Sequence, residues 1–411
     1  MAVTAPLVSR TGVGVCAALG FRAGAAAAGI REDGDDERLD VAIVHSTLPC
    51  NAAGVFTRNT VKAAPVVISQ LTLKRNKPVH AVLLNAGNAN CCTGPQGFRD
   101  ALLMCNTAAE ALELDPAEVL VCSTGVIGRP LPMQRMVRGI KTASMSLSRD
   151  ASDQAARAIM TTDRRPKSAA SSFALGRHSY IVGSIAKGAG MIHPDMATML
   201  CVLTTDAPVQ RDVLQATLRA AVDDTFNVVT IDGDSSTNDT VLLLANASAG
   251  GDEIGTASPL LASFENCVRE VCDSLAQQIA ADGEGATKHF KVAISGAVDS
   301  SEGRLAARAV AGSTLVKTAF HGCDPNWGRI VAALGRSGAS FTLDRCRVAI
   351  GGITVFANGA PAEADLNALR SLLSKPSVVV DIDLGAGEAE GQAWGCDLSP
   401  EYVRINAEYT T

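Results

Sequence analysis

Short apolar runs alternating with turn-forming residues organise the chain from Leu39 onward. LDVAIVHS (39–46), AAPVVIS (63–69) and PVHAVLLNAG (78–87) concentrate β-branched and aliphatic residues between breakers, which predicts three strands. FRDALLMCNTAAEALEL (98–114) repeats its apolar residues at helical spacing and predicts an amphipathic helix. EVLVCSTGVIG (118–128) reads as a strand running into a glycine-flanked turn, and ASDQAARAIMTTD as a helix up to Met160. HSYIVGSIAKGAGM (178–191) predicts a strand followed by a glycine-rich segment.

The second half continues in the same manner. VLQATLRAAVDDTF predicts a helix, and VVTIDGDSSTNDTVLLLANA a strand, an acidic polar loop and a second strand. ENCVREVCDSLAQQIAADGEGATK predicts a long helix ending at 282–285, and KVAISGAV another strand. SSEGRLAARAVAGSTLVKTAF and DPNWGRIVAALGRSG read as helices flanking a loop. RVAIGGITVF, SVVVDIDLGAG and VRINAEYTT close the chain. No short-period repeat, heptad run or low-complexity linker interrupts the pattern, and the mixture points to α+β layers with mixed sheets.

The length of 411 residues corresponds to about two to three domains. Apolar residues at 47% and charged residues at 19% allow a large core. The net charge of −6 disfavours a nucleic-acid footprint, and aromatics at 4% disfavour base-stacking platforms. No uncharged apolar run is long enough for a transmembrane helix. The twelve cysteines include no Cys-x-x-Cys pair, so they read as small buried hydrophobes in a reducing, intracellular compartment. His321 and Cys323 are too isolated for a zinc site, and the sequons at Asn238 and Asn246 read as chance matches. The first 31 residues hold three Arg and no acid, a composition shared by transit peptides and by small-residue segments of folded enzymes.

Candidate chemistry concentrates in AKGAGMIHPDMATML (186–200). Lys187 lies among small residues, and glycines 188 and 190 allow close approach to a ligand. Thr198 adjoins an apolar strand-like run. A threonine hydroxyl needs a base, and cleavage before Thr198 would supply one in the new α-amino group, whose reference pKa of about 7.7–8.0 is near working pH. A strand threonine is the commoner reading of such a residue, and His193 before Pro194 reads as structural or solvent-facing. Thr124 and Gly125 could form an oxyanion hole or an ordinary turn. Asp232, Asp234 and Asp239 have a spacing suggestive of Ca²⁺ but lack the bidentate Glu of an EF-hand.

NAGNAN, STGVIGRPLPM, IMTTD, AKGAGMIHPDMATMLCVLTTDA, TFNVVTIDGDSSTNDTVLLLANA, DGEGATK, DPNWGRI, GCDLS and INAEYTT together resemble one family, the ornithine acetyltransferases (glutamate N-acetyltransferases) of arginine biosynthesis. The matches run from residue 14 to 411. CVLTTDA and AWGCDLS look like its plant and algal branch, and GFRAGAAAAGIR matches its usual opening, leaving about a dozen residues of extension.

The resemblance implies a self-processing, N-terminal-nucleophile-like enzyme of the DmpA/ornithine-acetyltransferase kind, with a layered α/β/β/α arrangement. It implies cleavage between Ala197 and Thr198, giving an α chain 1–197 and a β chain 198–411, the latter with a C-terminal subdomain at roughly 292–411. Thr198 would be the nucleophile, and Thr124 and Gly125 the oxyanion hole. Thr161, Lys187, Thr198, Glu284, Asn406 and Thr411 would contact substrate, with Thr162 as the alternative to Thr161. Acetyl would pass from N²-acetyl-L-ornithine to L-glutamate by a ping-pong route, in an α2β2 heterotetramer without metal or cofactor; the motifs leave acetyl-CoA open as a second donor. Asp195 stands where the family commonly has Asn. The expected location is cytoplasm or plastid stroma, without a nucleic-acid or membrane partner. A self-processing aminopeptidase of the same fold and a non-enzymatic binding descendant are the rival readings.

Overall fold

The structure is a computed structural model that describes residues 14–31, 35, 37–176, 178–193 and 199–408. The earlier part of the chain forms β1 (Phe21–Ala26), β2 (Val41–Phe56), α1 (Ala64–Lys74), β3 (Val79–Asn85), α2 (Gly94–Leu112), β4 (Val119–Ser123), α3 (Met133–Met145), α4 (Ser152–Ala158), β5 (Lys167–Leu175) and β6 (His178–Lys187). The later part forms β7 (Leu200–Thr205), α5 (Arg211–Asp224), β8 (Val229–Thr230), β9 (Thr240–Ala245), α6 (Leu261–Ala281), β10 (His289–Ala297), α7 (Ser300–Ala311), α8 (Thr314–His321) and α9 (Trp327–Gly335). It closes with β11 (Arg347–Ile350), β12 (Ile353–Ala357), β13 (Ala360–Pro361), α10 (Leu366–Leu373), β14 (Ser377–Asp383), β15 (Ala389–Cys396) and α11 (Pro400–Glu408).

The sixteen-residue β2 sets the architecture. Its start pairs with β1 and β3, its register against β3 shifts between His45 and Cys50, and Asn51–Phe56 pair with β9. One strand therefore serves two halves of an eight-stranded sheet ordered β4-β3-β2-β9-β7-β6-β5, with β1 beside β2. Alternation of side chains assigns the layers. Ile43, Leu83 and Val121 point to Ile68 of α1, Met104 of α2 and Ile140 of α3. On the opposite face, Val82, Leu84 and Leu120 of one half meet Ile185, Val202 and Leu242 of the other. Val182, Leu203 and Leu243 then face Leu214 and Leu218 of α5 and Phe264 and Leu275 of α6. This is the expected α/β/β/α sandwich. β7 and β9 lie between the halves and the helices and are buried along their whole length, which is why both read as unbroken apolar runs.

A second, seven-stranded mixed sheet, ordered β13-β12-β11-β14-β10-β15-β8, carries α7 against β10 and β15. Its edge strand β8 leads into the acidic loop 231–239, so this sheet abuts the end of the sandwich where that loop lies.

AAPVVIS is a correction: it forms the first turns of α1, not a strand. Pro65 falls in the first helical turn, where its missing N–H has no intrahelical partner to lose. Buried Ala64, Pro65, Ile68, Ser69 and Thr72 recur at helical spacing. All twelve cysteines are free, and only Cys92 is exposed. Burial pushes the Cys50, Cys105 and Cys122 thiols up to about 12, which leaves them inert packing groups. No helix among the described residues is long and apolar enough to cross a membrane.

Candidate active site

Strand register collects the site at one end of the sandwich. Lys187 ends β6 opposite Leu200, which begins β7, and Leu200 lies opposite Thr240, which begins β9. Asn85 ends β3 beside Ser123 at the end of β4, so Thr124 and Gly125 emerge next to the 87–90 loop. Asn238 ties the walls together: its Nδ2 donates to the carbonyls of Ala89 (2.6 Å) and Ser123 (2.8 Å). Gly125 has φ of +129°, and a Cβ there would overlap the backbone of Gly87 and Asn88, so the turn needs glycine.

The third wall rests on a buried charge network. Asp163 Oδ1 accepts from the Gly188 amide (2.7 Å) and from Lys167 Nζ (2.7 Å), and its Oδ2 accepts from the Thr161 amide (2.9 Å). Lys167 Nζ also donates to Asp282 Oδ2 at 2.6 Å. Burial alone would raise the Asp163 pKa, but Lys187, Lys167 and the hydrogen bonds to the carboxylate outweigh it and hold the group well below the usual carboxylate range. One carboxylate thereby fixes the backbone after Lys187 and the backbone at Thr161.

Thr124, Gly125, Thr161, Lys187, Glu284 and Asn406 all line one cavity. Lys187 Nζ donates to Thr124 Oγ1 at 3.5 Å. Burial lowers the Lys187 pKa, opposed by Asp163 and Glu284. Glu284 Oε1 accepts from the Thr162 hydroxyl (2.6 Å) and Oε2 from Asn406 Nδ2 (2.7 Å), so α11 closes over the carboxylate. Thr161 and Thr162 both face the cavity: Thr162 grips Glu284, and the Thr161 carbonyl accepts from Arg38 Nη2 (2.9 Å). Ala197, Thr198 and Thr411, together with Asp195, lie outside the described residues.

Other candidates fall elsewhere. His193 Nδ1 pairs with Thr230 Oγ1 at 3.2 Å. His321 pairs with Asp397 Oδ2 (2.8 Å) in a separate cleft, while Cys323 receives Lys288 Nζ (3.1 Å). Asp232 accepts the amides of Met191 (2.5 Å) and Ile192 (2.9 Å) and so braces the backbone just after Gly190. The sequence reading passed over Asp163, Asn238 and the bracing role of Asp232. SSTND, with small polar residues between two apolar strands, was the available signal for Asn238.

A layered sandwich with a buried lysine, paired hydroxyls and a carboxylate converging at one end defines an acyl-transfer enzyme. Residues 22–411 match the ArgJ family, and the chain belongs to it: the ornithine acetyltransferases of arginine biosynthesis. The chain is 49% identical over 398 residues to the arginine biosynthesis bifunctional protein ArgJ of Symbiobacterium thermophilum, covering 97% of this chain and 98% of that protein. The crystal structure of the argJ protein of Bacillus halodurans is 40% identical, covering 50% of this chain and 97% of that one, with a TM-score of 0.49. An ornithine acetyltransferase of Mycobacterium tuberculosis, solved with ornithine, is 39% identical, covering 46% of this chain and 96% of that one, with a TM-score of 0.40.

Proposed function

We propose that the chain cleaves itself between Ala197 and Thr198 into 1–197 and 198–411 and then moves acetyl from N²-acetyl-L-ornithine to L-glutamate through an acetyl-Thr198 ester. The observation that carries the reading is the convergence of Lys187, Thr124, Gly125 and Glu284 on one cavity at the end of the strands flanking residue 198. In the first half-reaction, Thr198 Oγ attacks the acetyl carbonyl while the Thr198 α-amine takes its proton. The amide C–N bond breaks, and that proton leaves with the ornithine nitrogen. Glutamate's amine then attacks the ester and the steps reverse.

Two features of the cavity suit this chemistry. Lys187 donates to Thr124 Oγ1, which leaves the Thr124 hydroxyl proton to aim at a developing oxyanion beside Gly125. Lys187 and Glu284 give the cavity one cationic and one anionic pole, which suits a carboxylate and a δ-ammonium on the same donor. Thr161, Asn406 and Thr411 complete the substrate contacts, and two copies of each chain assemble as α2β2. Acetyl-CoA enters, if at all, as a second donor to the same threonine.

The test is mass spectrometry of purified protein, alone and after brief exposure to acetylornithine or acetyl-CoA. Two polypeptides, the second beginning at Thr198 and gaining one acetyl group there with acetylornithine, are the expected result. An uncut chain that transfers acetyl, or peptide hydrolysis without acetyl transfer, would overturn the reading.

A further inference from the structure

Cys91 and Cys92 are adjacent in the chain, Cys91 buried and Cys92 exposed. In an extended segment adjacent side chains point to opposite faces. Here Cys92 takes a φ of +57°, and the two sulfurs turn to the same side, 3.7 Å apart. An S–S bond fits this pair badly, because consecutive Cα atoms lie about 3.8 Å apart across a trans peptide and ordinary disulfides begin at roughly 4.4 Å. One atom bonded to both sulfurs fits well. At about 2.3 Å from each, the length of a Zn–S bond, it would subtend about 107° across the 3.7 Å separation, near the tetrahedral angle. Among the described residues, no group of three or more His, Cys, Asp or Glu side chains is placed to hold a metal ion, so the pair lacks the further protein ligands that zinc takes. A trivalent arsenical of the arsenoxide class needs none, because two sulfurs and its own carbon substituent complete its bonds. The pair is also joined to the active cavity. The Gly128 amide donates to the Cys91 carbonyl at 2.9 Å, and the Ala89 amide to the Val126 carbonyl at 3.0 Å. Cys91 clusters with Val66 and Ala89, and Ile127 packs against that cluster. Ala89 and Ile127 line the cavity beside Thr124 and Gly125.

We propose that Cys91 and Cys92 form a bidentate dithiol site for a trivalent arsenical, and that filling it slows acetyl transfer by shifting the 87–91 loop against the 124–128 turn. The exposed Cys92 meets the reagent first and forms one As–S bond. The Cys91 sulfur is then held beside the arsenic, so the second bond forms within one molecule. With an arsenoxide, two S–H and the As–O bonds break, two As–S bonds form, and the oxygen leaves with both protons as water. Arsenic stays trivalent and nothing is oxidised. Burial pushes the Cys91 thiol up, opposed by the Thr237 hydroxyl, but the departing oxygen takes the proton and no free thiolate is required. The added group sits against Ile127 and the Cys91 carbonyl that receives Gly128, the two contacts through which the loop sets the cavity wall. The site needs nothing from the Thr198 assignment.

The test treats the full-length protein with one equivalent of phenylarsine oxide and follows mass and acetyl transfer together. In wild type, the polypeptide that carries residues 85–94 should gain one phenylarsenic group and lose both thiol hydrogens. The adduct should map to Cys91 and Cys92, survive excess glutathione, which offers one thiol, and leave with dithiothreitol, which offers two. Acetyl transfer should fall about 10²-fold, the loss expected when groups at a site move by about 1 Å, and return with dithiothreitol. Cys92→Ser changes an exposed side chain; it should keep wild-type transfer and lose both the glutathione-resistant adduct and the inhibition. The proposal is overturned if wild type takes no adduct, if the adduct maps to other cysteines, or if Cys92→Ser binds as tightly. An adduct on both residues with unchanged transfer overturns the coupling to the cavity. Untreated protein is assayed alongside: absence of transfer there would count against the enzymatic reading and leave the mass result to judge the dithiol site.

Discussion

Gly190 and the Glu284 carboxyl are in such close contact that a Cβ on residue 190 would overlap the carboxylate carbon and both oxygens. The Glu284 amide also donates to the Ala189 carbonyl at 2.8 Å, so the backbone has no slack with which to retreat. Gly190→Ala should therefore swing the Glu284 side chain away from Thr162 and Asn406 while leaving the sheet intact. Steady-state kinetics should show KM for acetylornithine raised about tenfold or more, the loss expected for one charge-assisted contact, with a smaller change in kcat. An unchanged KM would show that Glu284 does not meet substrate.

Thr124→Val removes the hydroxyl but keeps the β-branched shape that closes β4. If that hydroxyl stabilises the oxyanion, kcat in the processed enzyme should drop by roughly 10²–10³, with KM less affected. Wild-type kcat would reduce Thr124 to a turn residue that accepts from Lys187.

Asp163→Asn should act on stability. The folded carboxyl lies below its ordinary value of 3.8, so its contribution is present in full above that pH and is lost as pH falls toward the folded pKa. Replacing it leaves Lys167 buried with only Asp282 as a carboxylate partner among the described residues. Denaturant unfolding at neutral pH should show a loss of about 3–5 kcal/mol, the usual cost of breaking a buried ion pair, and the difference from wild type should shrink below about pH 4. A constant difference down to acid pH would contradict the assignment.

Asp232 titrates in the opposite sense. Burial first, and Glu284 second, raise it to about 6. Because the folded pKa exceeds the unfolded one, the group's contribution to stability falls as pH rises from 3.8 to about 6 and is level above that. The ionised form, however, is the better acceptor for the Met191 and Ile192 amides. As pH falls through about 6, stability should therefore rise while activity falls, and Asp232→Asn should abolish both trends. Parallel melting and activity profiles across that range would separate this account from a general acid effect.

The layers were legible because strand alternation and helical spacing are local. VLLLA and LCVLTT announced buried strands without help from tertiary contacts. The helix at Ala64 was not legible: PVVIS has strand composition, and only the surface it covers on β2 and β4 decides between the two states. At the site, the glycines beside Lys187 and after Ser123 marked where backbone had to approach a ligand. The contacts of Asp163 with Gly188, Asp239 with Met199 and Asn238 with Ala89 were not legible in sequence, because these partners lie 25 to 149 positions away and are brought together by register and loop closure.

The strand order has a consequence for any break in the covalent chain between β6 and β7. β7 and β9, from the later stretch, are threaded between β2 and β6, from the earlier one, with six paired positions along each of those two seams. A nick there would free no fragment. The pieces would be interlaced like the teeth of a closed zip, and separating them would tear both seams and bare the sandwich interior. An affinity handle on either piece should accordingly carry the other through dilution, salt and prolonged washing, and release it only on denaturation.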